Sequence, residues 1–398
     1  MDKNSAIHRL KGILPGGVAI AFAVLAFAPG SAQASTASGT VITNIATVNY
    51  NDAGNVPQPL VTAAPVSVTV TLVASPVAFG TAPGATSVNQ GQSATLTYTI
   101  TGTANGPDTY NVGSTEAGNV NDSGSTTTPP GPITLGGTTL AVPAVAGNTT
   151  ITVPYDQNPL LTSVNGLAPG NTIVIGGVAY LIAAGGITKN QGGVNNAVNT
   201  ATLTLTTAIT GATVPAGSVV GQQVTFTVNV TSGNVTGGGS TGTVSVTTTV
   251  TGSGPGVSQG PTAITVNRPV LTVAKLVSVN GTVFSGSGVG PPGATLTYQI
   301  QASNGGTSIA QQVAFTDVLP PYLTYVPGSG KVSLTANTTA FSNYGSAAAL
   351  TDNAGNYTVA TSAASPPVTT ITYNPPSPGN GTVNGGGALV LYFQAKIN

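Results

Sequence analysis

Three residues in the C-terminal third could form a covalent bond. Lys275 lies in the apolar run Val270–Val277, Asn398 follows Leu391-Tyr-Phe-Gln-Ala-Lys-Ile397, and Asp317 stands between them in Phe315-Thr-Asp-Val-Leu-Pro320. A Lys on the first strand of a sandwich, an Asn on its last and a nearby carboxyl group are the parts of an intramolecular isopeptide bond. In that bond the Lys amine displaces ammonia from the Asn amide while the acid shuttles protons. The plainer reading of Asp317 is an acid at the end of a strand, accepting backbone N–H bonds in the turn.

Other chemistries are limited by inventory. The sole His is His8, and the chain has no Cys and no Trp. Beyond residue 34 there is neither imidazole nor thiol for nucleophilic catalysis or a soft metal site. Asn51-Asp-Ala-Gly-Asn55, Asn121-Asp-Ser-Gly-Ser125 and Thr351-Asp-Asn-Ala-Gly-Asn356 carry hard-cation oxygens, but each holds one carboxylate where a tight calcium site uses several, so each reads as an Asx turn. Glu116 is the sole Glu, with Asp108 and Asp122 near it in a Gly- and Asn-rich stretch. These read as solvated loop acids and not as a glycosidase pair. The clusters Gly185-Gly186, Gly192-Gly193 and Gly237–Gly239 lack the Lys-Ser/Thr of a phosphate loop. The expectation is no enzyme and no cofactor.

Charge narrows the partners. Only 4% of the residues are charged, against roughly 25% in ordinary domains. After residue 34 there are five basic and seven acidic residues. Such a chain has no basic stripe for nucleic acid or anionic lipid. Its 40% hydrophobic content in period-two register also separates it from charged, disordered sequences.

The first 34 residues carry Lys3, Arg9 and Lys11, the apolar run Val18–Ala28, Pro29-Gly30 and the small-residue triplet Ala32-Gln33-Ala34. This is the pattern of a secretory signal peptide cleaved after Ala34. The apolar run is about a dozen residues, short of the roughly 20 that a membrane span needs. The mature chain is expected to contain no transmembrane segment and to be secreted, extracellular or on the cell surface.

Thr, Val, Gly, Pro and Asn dominate the remainder, a mixture of strand formers and turn formers. Alternation is plain in Val66–Val73, Ala94–Ile100, Ala201–Thr206, Val224–Val230 and Val244–Val250, with aliphatics on one face and hydroxyls on the other. No helix is expected after residue 34. An outer-membrane barrel would also alternate, but it needs aromatic girdles, and aromatics are 5% of this chain. Tyr98, Tyr298, Tyr322, Tyr325, Tyr373 and Tyr392 read as strand residues packing in cores, ahead of a sugar-stacking platform.

Gln90-Gly-Gln-Ser-Ala-Thr-Leu-Thr-Tyr-Thr-Ile100 aligns with Pro292-Gly-Ala-Thr-Leu-Thr-Tyr-Gln-Ile300, an internal repeat at about 200 residues. Each copy follows a strand expected to open its domain, Val68–Val73 and Val270–Val277. A sandwich of this type needs about 100 residues, so the first copy is too long and is expected to hold an insertion. The expected fold is all-β: tandem immunoglobulin-like antiparallel β-sandwiches with a small inserted β unit. Its parts are a signal peptide at 1–34, an N-terminal β segment at 35–65, a first sandwich at 66–266 with the insertion at 131–215, and a second sandwich at 267–398. Thr236–Ser240 and Gly252–Gly256 are expected as loop or linker.

Lys275, Pro292-Gly293, Thr297-Tyr298, Asn304-Gly305, Thr316-Asp317, Leu319-Pro320 and Pro327-Gly328-Ser329 occur in an order that resembles the bacterial surface-repeat family catalogued as domain of unknown function eleven. The resemblance covers about 268–398 well and 66–130 only at the Thr-Tyr strand. Gly39–Tyr50 is similar to the strand often found beside such repeats. The resemblance implies an immunoglobulin-like sandwich in a secreted or envelope protein, with no activity established for most members.

The expected role is therefore that of a secreted cell-envelope structural or adhesion protein without catalysis. Its partners would be other envelope or surface proteins, glycans or further copies of itself. The alternatives are a self-assembling filament or surface-layer subunit, whose uncharged edge strands pair between copies, and a carbohydrate-binding module.

Overall fold

Hydroxyls and aliphatics alternate through Ser93–Thr101, and the strand buries Ala94, Leu96, Tyr98 and Ile100 on one face. It forms the centre of the first of two sandwiches in the computed structural model. The structure describes residues 36–154, 162–190, 200–335, 343–375, 379 and 381–398. The expected cleavage point, Ala34, lies outside the described residues. The chain is all-β, and no helix occurs among the described residues.

Ser93–Thr101 pairs with Val219–Thr231 on one side and with Ala78–Phe79 on the other. The facing sheet has the order Ile133–Leu135, Asp108–Glu116, Thr241–Thr251, Val257–Asn267, Thr86–Asn89, its last pair parallel. Leu96, Tyr98, Ile100, Phe226 and Val228 meet Tyr110, Leu135, Val246, Ile264 and Val266 between the sheets.

A second core lies in the first sandwich's long insertion. The sheet continues past Val219–Thr231 through Thr172–Ile175, Val178–Asn190 and Thr200–Leu205 to Thr150–Pro154. Ile151, Val153, Ile173, Ile182, Leu203 and Val220 pack together there. No loop separates this unit from the sandwich: the 13-residue strand Val219–Thr231 begins in one core, at Val220, and ends in the other, at Val230.

The second sandwich sets a six-stranded sheet against a three-stranded one. The larger has the order Leu271–Ser278, Thr295–Asn304, Ala388–Ile397, Lys331–Thr335, Ala348–Ala349, with Leu323–Tyr325 also on Ala388–Ile397. The smaller has the order Phe315–Leu319, Thr369–Tyr373, Tyr357–Thr361. Ile300, Leu391, Phe393 and Ala395 face Phe315, Leu319, Ile371 and Tyr373. Between the sandwiches, Arg268 donates to the backbone carbonyls of Gly239, Val235 and Gly237, and its own N–H bonds to Ser240. The Gly-rich loop is thereby tied down by a guanidinium fork.

Gly252–Gly256 is a loop, as expected: it closes the hairpin of Thr241–Thr251 and Val257–Asn267. Two expectations change. Ile133–Leu135 belongs to the first sandwich, paired with Asp108–Tyr110, and Leu135 joins its core, so this strand is not part of the insertion. Val66–Val73 does not open the first sandwich: Val66–Thr69 pairs with Val41–Asn44, and Val66 and Val68 face solvent. Alternation specifies a strand with one apolar face, but not that anything covers it.

Candidate interaction surface

Residues 39–70 form a two-stranded hairpin. Its register runs from Val41↔Thr69 through Thr47↔Thr62 to the bridge Asn51↔Pro57. The tip is an Asx turn in which Asp52 Oδ1 accepts from the N–H groups of Gly54 and Val56 while Oδ2 accepts from the Gln58 amide. Asn55 at φ 61° takes the left-handed conformation that Asn tolerates well. Opposite residues of an antiparallel pair share a face, so Ile42↔Val68 and Asn44↔Val66 put Ile42, Val66 and Val68 on one side. Thr43 and Ser67, 2.9 Å apart through their hydroxyls, lie on the other side. Ile42, Val48, Tyr50, Leu60, Val66 and Val68 are each more than half exposed.

The base of this hairpin is held by one side chain. Asn105 follows Ser93–Thr101 and is buried; its Oδ1 accepts from Val73 N–H at 2.7 Å, its Nδ2 donates to Thr36 C=O at 2.7 Å, and its own C=O accepts from Ser38 N–H at 2.9 Å. Gly106 beside it leaves the room: a Cβ there would meet Ser38 Cβ at 2.5 Å.

The second sandwich repeats the device. Asn304 follows Tyr298 as Asn105 follows Tyr98. Its Oδ1 accepts from Val270 and Gly306 N–H, both at 3.0 Å, and its Nδ2 donates to the carbonyls of Ser308 and Val383. Each Asn grips the chain where it enters its sandwich. Asn304-Gly305 stands in the repeat pattern, whereas Asn105-Gly106 carries a weaker signal in the sequence: its place one residue later after its Thr-Tyr strand.

Just past the Asn304 grip runs Leu271–Ser278, the edge of the six-stranded sheet. Lys275 on it reaches across the sandwich to Asp317 on Phe315–Leu319, the edge of the facing sheet, with Nζ 2.7 and 2.8 Å from the two carboxylate oxygens. Nζ also lies 5.0 Å from the centre of the Tyr298 ring. Asp317 is therefore an ion-pair partner and not the acceptor of backbone N–H bonds expected at a turn. The structure brings Lys275 and Asp317 together and places Asn398 elsewhere. Lys275 registers with Ile300 and, across it, Leu391, seven residues before Asn398 and so roughly 23 Å away along the strand. The Asn398 amide donates to Pro321 C=O at 3.0 Å and accepts from the Thr324 hydroxyl.

The other acids among the described residues are taken up by hydrogen bonds that hold turns and loops in place. Asp122 accepts from Ser125 and Asn119, and Asn119 also donates to Glu116. Asp352 holds the Tyr325 hydroxyl and Gly328 N–H, both at 2.7 Å. Asp108 is buried under Ser253, which donates its N–H and hydroxyl. Beside it, burial pushes the Tyr110 phenol up to about 12, and the Asp108 charge adds to the rise. Among the described residues no three His, Cys, Asp or Glu side chains cluster as a metal site. Tyr98, Tyr325, Tyr373 and Tyr392 are buried, while Tyr322 is exposed.

No protein-family model matches the chain, and no curated protein matches it. Among solved structures, it is similar to the C-terminal domain of the AgI/II polypeptide BspA of Streptococcus agalactiae, with 11% identity and a TM-score of 0.29 over 81% of this chain and 90% of that one. It is likewise similar to the C-terminal domain of the antigen I/II-family protein AspA of Streptococcus pyogenes, with 11% identity and a TM-score of 0.28 over 90% and 91%. At these scores the likeness carries no inference about function.

Proposed function

We propose that this protein works outside the cytoplasm as a non-catalytic structural or adhesive component of a cell envelope, displaying immunoglobulin-like β-sandwiches and binding through surface contact. The observation that carries the reading is the hairpin at 39–70. A two-stranded ribbon is marginal in water without a third strand or a covering element, and contiguous exposed apolar surface marks interaction sites. Here the ribbon is gripped at its base by a buried Asn and presents Ile42, Val66 and Val68 to solvent. The signal-peptide pattern of residues 1–34 supplies the compartment. The partners that fit are other envelope or surface proteins, or glycans, met at neutral, hydroxyl-rich faces.

The test is expression behind the native leader, with N-terminal sequencing of the product and protease treatment of intact cells. The reading expects a chain beginning at Ser35, in the medium or degraded by external protease. A cytoplasmic product that keeps residues 1–34 overturns it.

A further inference from the structure

We propose that the hairpin of one copy adds to the free edge of Leu271–Ser278 in a second copy, joining chains head to tail. The proposal deepens the envelope reading, on which it rests for the compartment where assembly occurs.

The receiving edge is defined by its hydrogen bonds. Val277 exchanges N–H and C=O with Ser285 at 2.9 and 3.0 Å on the side away from Thr295–Asn304. Backbone groups alternate in direction along a strand, so those of Lys275, Val273 and Leu271 also point outward. The same three residues register opposite Ile300, Ala302 and Asn304, which sets their side chains on the face of the sheet that carries the core. Leu271 is nevertheless 44% exposed and Val273 69% exposed. The core face thus runs out to this edge uncovered. At eight residues, this is also the longest edge strand of any sheet among the described residues.

Charge selects the occupant. The edge strand's one charged residue, Lys275, is held by Asp317. Between residues 36 and 73 the one charged residue is Asp52, at the hairpin tip with its carboxylate occupied. A charged partner finds little to pair with on either surface, whereas the two neutral strands match in backbone groups and in apolar side chains. Length allows it: the hairpin arms are about a dozen residues, roughly 40 Å, and the part of the edge that the Val277–Ser285 bridge leaves free, Leu271–Lys275, is roughly 17 Å.

Placement directs the contact between copies. The hairpin is gripped at Asn105, beyond the C-terminal end of Ser93–Thr101. The second sandwich departs beside the N-terminal end of that strand, where Gln90 N–H bonds Asn267 C=O at 2.8 Å. Donor and acceptor thus flank opposite ends of one strand, and a contact of one surface with a different surface propagates from copy to copy, as an open chain unless its rotation closes a ring.

The experiment measures mass by light scattering against concentration, on protein purified from whichever compartment yields it. Wild type should grow in mass with concentration. Val68→Lys in the hairpin and Val273→Lys at the edge should each weaken self-association by about tenfold or more, since a charge on an edge blocks pairing. Mixed, the two variants should form a one-to-one dimer and nothing larger, because only one donor and one acceptor remain. Ile42→Lys and Leu271→Lys repeat the test should either first variant misfold. A wild type that stays monomeric, a Val273→Lys variant that polymerises as wild type does, or one that dimerises alone through its hairpins overturns the proposal. Monomeric protein found outside the cell overturns the head-to-tail contact only; associating protein retained in the cytoplasm with its leader overturns the envelope reading only.

Discussion

Tyr98 stacks on Phe226 with ring centroids 5.5 Å apart, and the second sandwich repeats the contact between Tyr298 and Phe393 at 5.3 Å. In both, the Tyr stands in a Thr-Leu-Thr-Tyr strand and the aromatic partner directly opposite on the neighbouring strand. The next position outward differs. Phe79 meets the edge of Tyr98 at 6.1 Å where Lys275 covers Tyr298, and these two residues occupy the same register, opposite Ile100 and Ile300. The repeat thus keeps its aromatic centre and varies its edge.

Truncating that centre should be costly. Tyr98→Ala is expected to destabilise by about 3 to 5 kcal/mol, the range for removing a large buried aromatic. The Tyr98 hydroxyl is buried and finds no hydrogen-bond partner among the described residues, so Tyr98→Phe should stay within about 0.5 kcal/mol of wild type or gain. Urea unfolding midpoints of the two variants check both values.

The two gripping Asn residues should separate in their effects. Asn304→Ala leaves the N–H groups of Val270 and Gly306 and the Ser308 carbonyl without their partner in a buried site, while the Val383 carbonyl keeps the Ala310 N–H; it should cost about 3 kcal/mol or more. Asn105→Ala releases the hairpin base; limited proteolysis should then cut within 36–73 markedly faster, with a smaller loss in melting temperature.

Lys275 and Asp317 form a two-pronged but partly exposed pair, with side-chain exposures of 40% and 12%. Asp317→Asn should cost about 1 kcal/mol, less at high salt. Since Asn398 bonds to Pro321 and Thr324, intact-mass analysis is expected to give the unmodified chain with no loss of ammonia.

Alkaline pH should unfold the protein through its buried phenols. Tyr110 is held up at about 12, and Tyr357 is also raised, chiefly by burial. An exposed tyrosine in the unfolded chain ionises near 10. Between about pH 10 and 12 the unfolded state therefore sheds protons that the folded state keeps, and stability falls as pH rises. Melting temperature should be flat from about pH 7 to 9 and drop above 10. Tyr110→Phe should remove part of that drop, about 2 kcal/mol near pH 12.

Alternation made Leu96, Tyr98, Phe226 and Val228 legible as core, because an apolar face in period-two register on a strand with strands on both sides is covered by the opposing sheet. The same pattern at Val66 and Val68 misled, since coverage depends on contacts far away in sequence. Ile133–Leu135 reads equally well in either core for a related reason: two apolar residues flanking a Thr suit both, and only the partner strand decides. Lys275 and Asp317 were recognisable as chemically able residues, but their pairing required knowing that both strands are edges on the same side of the sandwich. The Asn105 grip was the least visible, because an Asn-Gly pair after a strand ordinarily signals only a turn.

The insertion alters how the first sandwich can form. Thr99 and Thr225, 126 residues apart, must meet before the aromatic centre closes, and closing a loop of that length is slow and entropically expensive. Yet Gly137 registers with Gly221, and Leu140 exchanges backbone bonds with the Gly217–Ser218 turn, so the inserted unit has its two ends together once folded. Should it form early, it shortens the effective loop to the few residues that remain outside it. A segment that lengthens the sequence then acts as a kinetic clasp.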